Sequence, residues 1–201
     1  MSLFTESAIR SRFRNKISLN YYENYATRAQ TLLTENFSKQ NTVLGAVNTF
    51  DIFLSHSSSD AELVIGLKLT LEDLGFSVYV DWIDDPKLNR KEVTKQTAAT
   101  LKQRMKQCKS LLYAFSENAS TSKWMPWELG YFDGIKGTAA VLPISQTSKS
   151  NFIGSEYLGL YYYIQIDTIS GTNTTALWVY ETASKYIKFD NWLTGSQPIQ
   201  R

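Results

Sequence analysis

From Phe50 onward, short apolar runs alternate with stretches whose apolar residues sit three or four apart. The first pattern is that of a buried strand, the second that of one face of a helix. Residues 50–55, Phe-Asp-Ile-Phe-Leu-Ser, predict a first strand. Ser59-Asp60-Ala61-Glu62 has the form of a capping box. It opens a helix with Leu63, Leu67, Leu71 and Leu74 as its stripe, and Gly75 suits its C-terminal stop. Residues 76–80 predict a second strand, 82–90 a loop around Asp84-Asp85-Pro86, and 91–107 a polar amphipathic helix. Residues 110–115 predict a third strand and 116–123 a loop of small polar residues. Pro126 favours a first helical turn, so a short helix is expected over 127–135. Strands follow over 139–144 and 161–166, separated by a polar loop. A last helix is expected over 175–187, with Leu177, Tyr180, Ala183 and Ile187 on one side.

Strands alternating with helices imply parallel pairing and right-handed crossovers. The expected fold is α/β, a flavodoxin-like five-stranded parallel sheet with helices on both faces. Ligands of such sheets bind beyond the carboxyl ends of the strands, where the strand order reverses. That rule directs attention to the loops after Leu54, Val80 and Phe115. Residues 1–47 differ. Ile9, Phe13 and Ile17, then Tyr22, Ala26, Ala29 and Leu33, carry a helical rhythm, followed by a polar connector from 38 to 48. The division is therefore a helical extension over 1–47, a domain over 48–192 and a tail over 193–201. The extension reads either as packing for the main domain or as an arm for contact or regulation.

Composition narrows the function classes. With 43% hydrophobic and 20% charged residues the chain is an ordinary globular one. A net charge of +2, from 21 basic and 19 acidic side chains, gives no reason to expect nucleic acid or an acidic membrane surface as partner. Cys108 is the single cysteine, so no internal disulfide or oxidising compartment is implied. The first residues lack the apolar core of a secretory signal, and no apolar run nears the roughly 20 residues that span a bilayer. The expected location is the cytoplasm.

His56, the one histidine, lies in Ser55-His56-Ser57-Ser58-Ser59 after the first strand. Hydroxyls and amides beside a helix N-terminus suit phosphate or ribose oxygens, and turn chemistry explains them equally well. A Gly-rich phosphate loop is missing, as is a G-x-S-x-G nucleophile turn, so neither a Walker or Rossmann site nor a hydrolase triad is expected. One His and one Cys cannot build a structural zinc site. The densest signal is Lys123-Trp124-Met125-Pro126-Trp127-Glu128-Leu129-Gly130. A carboxylate in a first helical turn beside flat aromatic surface can stabilise an oxocarbenium-like transition state while a ring stacks nearby. A glutamate there also stabilises a helix without any chemistry, and the stretch alone leaves both readings open.

Together these pieces resemble the TIR (Toll/interleukin-1 receptor) domain family over roughly residues 50–187. Phe50-Asp51-Ile52-Phe53-Leu54-Ser55-His56 is similar to its first-strand motif. Leu74 to Asp81 is similar to its second strand, with the acidic residue that precedes the BB loop. Trp124-x-x-x-Glu128 resembles the motif of its NAD⁺-cleaving members. The resemblance implies Glu128 as catalytic residue and Trp124, His56, Ser57, Asp81 and Trp82 as substrate-cleft positions. It implies NAD⁺ as substrate, with no cofactor and no metal. It also implies self-association through TIR–TIR contacts and, for a defence protein of this kind, a separate effector that responds to a cyclic nucleotide product. Three features depart from the family: Asp84-Asp85-Pro86 stands where the BB loop often has glycine, Phe189-Asp190-Asn191-Trp192 only superficially matches the Phe-Trp motif of the last helix, and residues 1–47 have no counterpart. The competing readings are a non-catalytic adaptor or host-signalling mimic, and another glycosidic-bond enzyme such as a nucleoside deoxyribosyltransferase.

Overall fold

The structure, a computed structural model, describes residues 3–17, 49–85, 88, 94–149, 152–154 and 156–201. The strands are β1 (Phe4–Thr5), β2 (Phe50–Ser55), β3 (Val78–Tyr79), β4 (Cys108–Phe115), β5 (Ala139–Ser145), β6 (Tyr162–Thr168), β7 (Thr175–Thr182), β8 (Lys185–Lys188) and β9 (Ile199–Gln200). The helices are α1 (Glu6–Ile17), α2 (Ala61–Asp73), α3 (Asp81–Asp84), α4 (Lys95–Gln107), α5 (Trp124–Lys136) and α6 (Phe189–Leu193). The expected helical rhythm of residues 18–47 lies outside the described residues.

Five strands pair in parallel in the order β3-β2-β4-β5-β6, the flavodoxin-like arrangement the alternation implies. Their alternate residues feed two cores. Ile52, Leu54, Leu112, Ala140 and Leu142 pack with Ile9 and Phe13 of α1 and Leu63 and Leu67 of α2. Phe53, Leu111, Tyr113 and Val141 pack with Leu101 and Met105 of α4 and Met125, Leu129 and Phe132 of α5. Both faces are thus covered, as a parallel sheet requires.

The expected helix over 175–187 is instead an antiparallel hairpin, β7 and β8, which extends the sheet beyond β6. Trp178, Val179 and Tyr180 are residues that favour strands, and the turn at 183–184 lets them pair back. Leu177 and Val179 enter the core beside α1 and α2, while Tyr180 stacks on Tyr163 across the other face. The three- and four-residue spacing of Leu177, Tyr180 and Ala183 imitated a helix in a run too short for period to decide. Part of the segment 193–201 adds a further strand, β9, on β8.

Two local expectations also change. Asp60 is the N-cap of α2, but its side chain makes no cap bond. It accepts hydrogen bonds from Ser116 Oγ (2.5 Å) and Asn118 Nδ2 (2.6 Å) instead, which ties the loops after β2 and β4 together. The cap position is thus Asp60 rather than the Ser59 of the expected box, and Glu62, the box's acidic half, pairs with Arg10 of α1 at 2.6 Å. The segment expected as a loop from residue 82 begins with the single-turn helix α3. Beyond it, within 85–93, only Asp85 and Leu88 are described. The polar helix starts at Lys95, where the Thr94 hydroxyl caps the Thr97 amide at 3.1 Å.

Besides the Arg10–Glu62 pair, further contacts bind the described part of the N-terminal extension to the domain. β1 pairs in parallel with β5. Arg12 forks onto Asp73 at 2.6 and 2.9 Å. At Gly66, an added Cβ would stand 2.3 Å from the Ile9 carbonyl oxygen, so only glycine lets α1 lie this close to α2. Gly66→Ala should therefore lower stability by about 1–2 kcal/mol in thermal unfolding, overpacking outweighing alanine's gain of about 1 kcal/mol in helix propensity.

Asp84 offers a second test. Burial raises its carboxyl to about 6, against the opposing pull of Lys68 Nζ 3.8 Å away. The folded state binds this proton more tightly than the unfolded chain, so the contribution to stability falls as pH rises from about 4 to about 6. Asp84→Asn removes the cost of the buried charge. It should raise the unfolding free energy by about 1–3 kcal/mol above pH 6 and by little below pH 4, checked by denaturant unfolding across that range.

Candidate active site

The strand order reverses at β2, whose neighbours are β3 on one side and β4 on the other. The crevice at the carboxyl ends of β2 and β4 is thus the switch point where ligands of such sheets bind. Ser55 ends β2 and is in register with Tyr113 of β4. Period-two alternation turns both toward α5, with Phe53 and Leu111.

α5 delivers Glu128 to this crevice. Its first turn holds Trp124, Met125 and Pro126, and Gly137, with φ of 68°, supplies the left-handed residue at its end. Met125, Leu129 and Phe132 bury one side of α5 against the sheet, which points Glu128 inward with them. The Glu128 side chain has 0% exposure, and Ser55 Oγ donates to its Oε2 at 2.6 Å. The Tyr113 hydroxyl lies within the field of this carboxylate and is hydrogen-bonded to Tyr157. Burial first, then Tyr157, then Glu128 push its pKa above the ordinary tyrosine value. Trp124 is one helical turn before Glu128 and half-buried. Its ring meets Trp127 edge-on at 5.3 Å, Trp127 stacks on Tyr131 at 5.8 Å, and Lys102 Nζ stands 5.2 Å over Tyr131.

The other predicted positions form a second group at the same strand end. His56 Nδ1 lies 2.8 Å from the Leu54 carbonyl, which can only accept, so this nitrogen carries the proton. Its Nε2 then accepts from the Trp82 indole N–H at 2.8 Å. These partners assign a neutral imidazole. Asp81 Oδ1 is 3.5 Å from the same Nε2 and accepts the Trp82 amide at 2.8 Å. Trp82 packs against the core beside α1 and α2, on the other side of the sheet from Glu128. Ser57 is buried in the turn before α2, its hydroxyl accepting the Ser59 amide at 3.4 Å. The structure thus joins Trp124, Glu128 and Ser55 on one side of the β2 end, and His56, Asp81 and Trp82 on the other.

The loop without glycine is held by Asp85. Burial favours its protonated form, but Arg104 at 2.7 Å on each oxygen and the Tyr79 hydroxyl at 2.7 Å outweigh this and keep its pKa low. A cavity of about 740 Å³ opens at the carboxyl ends of β4 and β5, lined by Arg10, Asp60, Phe115, Asn118, Gln146 and Phe152 among others. It lies on the α1 side, and Glu128 is not part of its wall. Burial pushes the Cys108 thiol up to about 12, so it is no nucleophile. Among the described residues there is no metal-binding cluster of His, Cys, Asp and Glu, and no helix long and apolar enough to cross a membrane.

Sequence reasoning named Ser55 only within the polar run after the first strand and did not single out Tyr113, the two residues that lie against Glu128. Strand alternation puts Ser55 on the face of Phe53 and Tyr113 on the face of Leu111. Which strands adjoin, however, is a property of the assembled sheet.

Comparison with known proteins bears on the family. The family model for the TIR domain matches residues 52–171. A Bacillus cereus (strain MSX-D12) protein, ThsB′, named for an inferred 3′ cyclic ADP-D-ribose synthase activity, is 43% identical over 197 residues, covering 96% of this chain and 98% of its own. A Cytobacillus dafuensis protein, TIR2, named for an inferred cyclic ADP-D-ribose synthase activity, is 28% identical over 124 residues, which is 61% of this chain and 31% of that relative. With a flavodoxin-like strand order, the Trp-x-x-x-Glu helix at its switch point and a match running through most of the sheet, this chain belongs to the TIR domain family.

Proposed function

We propose that this chain is an ADP-ribosyl cyclase that breaks the nicotinamide–ribose bond of NAD⁺, with Glu128 as the catalytic residue. The observation that carries the reading is the Glu128 carboxylate, fixed by Ser55 at the switch-point crevice one turn from Trp124. The full-length likeness to a relative named as a cyclic ADP-ribose synthase supports it.

The chemistry follows from charge. In NAD⁺ the ribosyl carbon is bonded to a cationic pyridinium. When that bond breaks, its electron pair goes to nicotinamide, which leaves neutral, and the positive charge passes to the ribose as an oxocarbenium. A carboxylate beside that ring stabilises the developing charge, and low dielectric strengthens the effect. A nucleophile from the adenosine half of the same molecule then attacks the ribosyl carbon and gives up a proton, closing cyclic ADP-ribose. Water in its place gives ADP-ribose. Trp124 would shield the cation from water and hold a ring. The substrate carries the reacting bond, so neither cofactor nor metal is required. His56, Ser57, Asp81 and Trp82 would form the far side of the cleft. In a cell the product would serve a separate effector in antiphage defence, or the reaction would deplete NAD⁺, and TIR–TIR self-association would accompany activity.

The complete burial of Glu128 also favours a second reading, a non-catalytic TIR module in which this residue only joins α5 to β2. For catalysis, whatever covers the carboxylate must be displaced before a ribose reaches it, which fits an enzyme active only when assembled or triggered.

Nicotinamide release from NAD⁺, followed by chromatography at high protein concentration, decides between them. Glu128→Gln should keep its fold by circular dichroism and lose at least about 100-fold in rate, the size expected for a group aimed at transition-state charge. A wild-type protein silent under assembling conditions, or a Glu128→Gln variant as fast as wild type, points to the module. Trp124→Ala should raise KM for NAD⁺ and shift product from cyclic ADP-ribose toward ADP-ribose, because more water reaches the cation. An unchanged product ratio would remove Trp124 from the cleft.

A further inference from the structure

We infer that Ser55 is a positioning residue for the reaction, acting through Glu128. The inference rests on the assignment of Glu128 given above.

A glutamate carboxylate turns freely about its last torsion, where no sharp staggered preference holds it. Glu128 therefore needs an external partner if one oxygen is to face a substrate in a fixed direction. Ser55 Oγ donates to Oε2 at 2.6 Å, the short distance of a charge-assisted bond. Both side chains have 0% exposure, so water does not substitute for the hydroxyl.

Ser55 is itself held rigidly. It is the last residue of β2, paired in register with Tyr113 of β4, and Tyr113 is in register with Val141 of β5. Its backbone is thus part of the β2–β4 ladder rather than of the loop that follows. Through Oε2 the orientation of the carboxylate is tied to the end of β2 as well as to α5. Serine suits the place because its hydroxyl is short, whereas alanine keeps the strand and removes the donor. Ser55 touches no reacting atom in this scheme. Its effect is on where the charge of Glu128 stands when the oxocarbenium forms, and so on kcat more than on substrate affinity.

The test is steady-state nicotinamide release from NAD⁺ by the full chain, for wild type, Ser55→Ala, Glu128→Asp, Glu128→Gln and the double variant Ser55→Ala/Glu128→Asp. Thermal unfolding is recorded for each. Ser55→Ala should lower kcat about 10- to 100-fold, the loss expected for a misplacement on the order of 1 Å, with KM changed less than about threefold. Glu128→Asp withdraws the carboxylate from the hydroxyl, so adding Ser55→Ala to it should bring less than about threefold further loss. Ser55→Ala with wild-type kcat overturns the inference, as does a loss that is fully additive with Glu128→Asp, which would mark a merely structural role. Should Ser55→Ala fail to fold, Ser55→Cys, similar in shape and a weak donor, takes its place with the same expected kcat loss, and an unchanged kcat overturns the inference. Glu128→Gln separates the two levels. If it is inactive while Ser55→Ala is normal, only the role of Ser55 fails. If it is fully active, the assignment of Glu128 fails and this inference with it.

Discussion

A carboxylate buried without solvent contact has to be met by donors, and the hydroxyl at the end of β2 is one of them here. The Ser55–Glu128 bond joins the first strand of the sheet to the helix that begins with the Trp-x-x-x-Glu motif. A hydrogen bond to a charged group is worth about 1.5–3 kcal/mol, and leaving a buried charge unpaired costs more. The contact therefore constrains both partners. β2 must end at Ser55 with its hydroxyl toward α5, and α5 must pack so that Met125, Leu129 and Phe132 fill the core while Glu128 reaches the sheet. A slip of one residue in β2 would turn Ser55 to the other face. The pairing of β2 with both β3 and β4 holds that register.

The same strand end carries a second set of contacts. Directly after Ser55, the chain presents His56 to the Leu54 carbonyl and to the Trp82 indole. A neutral imidazole that donates from one nitrogen and accepts at the other links the loop after β2 to α3. Asp60, through Ser116 and Asn118, links that loop to the one after β4. Asp85, through Arg104 and Tyr79, links the segment after α3 to α4. The loops around the crevice are thus held by side chains of opposite polarity rather than by glycine turns.

Much of this was legible in the sequence, for identifiable reasons. Residues 50–55 read as a strand because four of the six are large and apolar and Gly75 closes the helix that follows. Glu128 and Trp124 stood out as an acid among tryptophans at a Pro-marked helix start, but the helix begins at Trp124, three residues before the expected start, so Glu128 lies in its second turn and not its first. The hairpin of β7 and β8 was not legible, because Leu177, Tyr180 and Ala183 satisfy a helical spacing by accident. What decides for a strand is the open edge of β6, a tertiary fact. The expected capping box failed for a related reason. Asp60 and Glu62 had local partners on offer, but Ser116 and Arg10, distant in sequence, took them. The role of Ser55 depends on which face of which strand meets α5, and no single segment holds that information.

Burial gives Glu128 strength and denies it access, and the two consequences belong together. In water a carboxylate stabilises a neighbouring cation weakly, about 1 kcal/mol at 4 Å, and several-fold more where the effective dielectric is lower. A carboxylate kept dry until the substrate arrives, with one oxygen already bonded to Ser55, needs little rearrangement when charge develops beside it. The same dryness favours attack by a group within the substrate over attack by water, which is what cyclisation demands. On the proposed function, a site that closes rings would benefit from being shut at rest, and whatever uncovers Glu128 would control both whether NAD⁺ is cleaved and which product results.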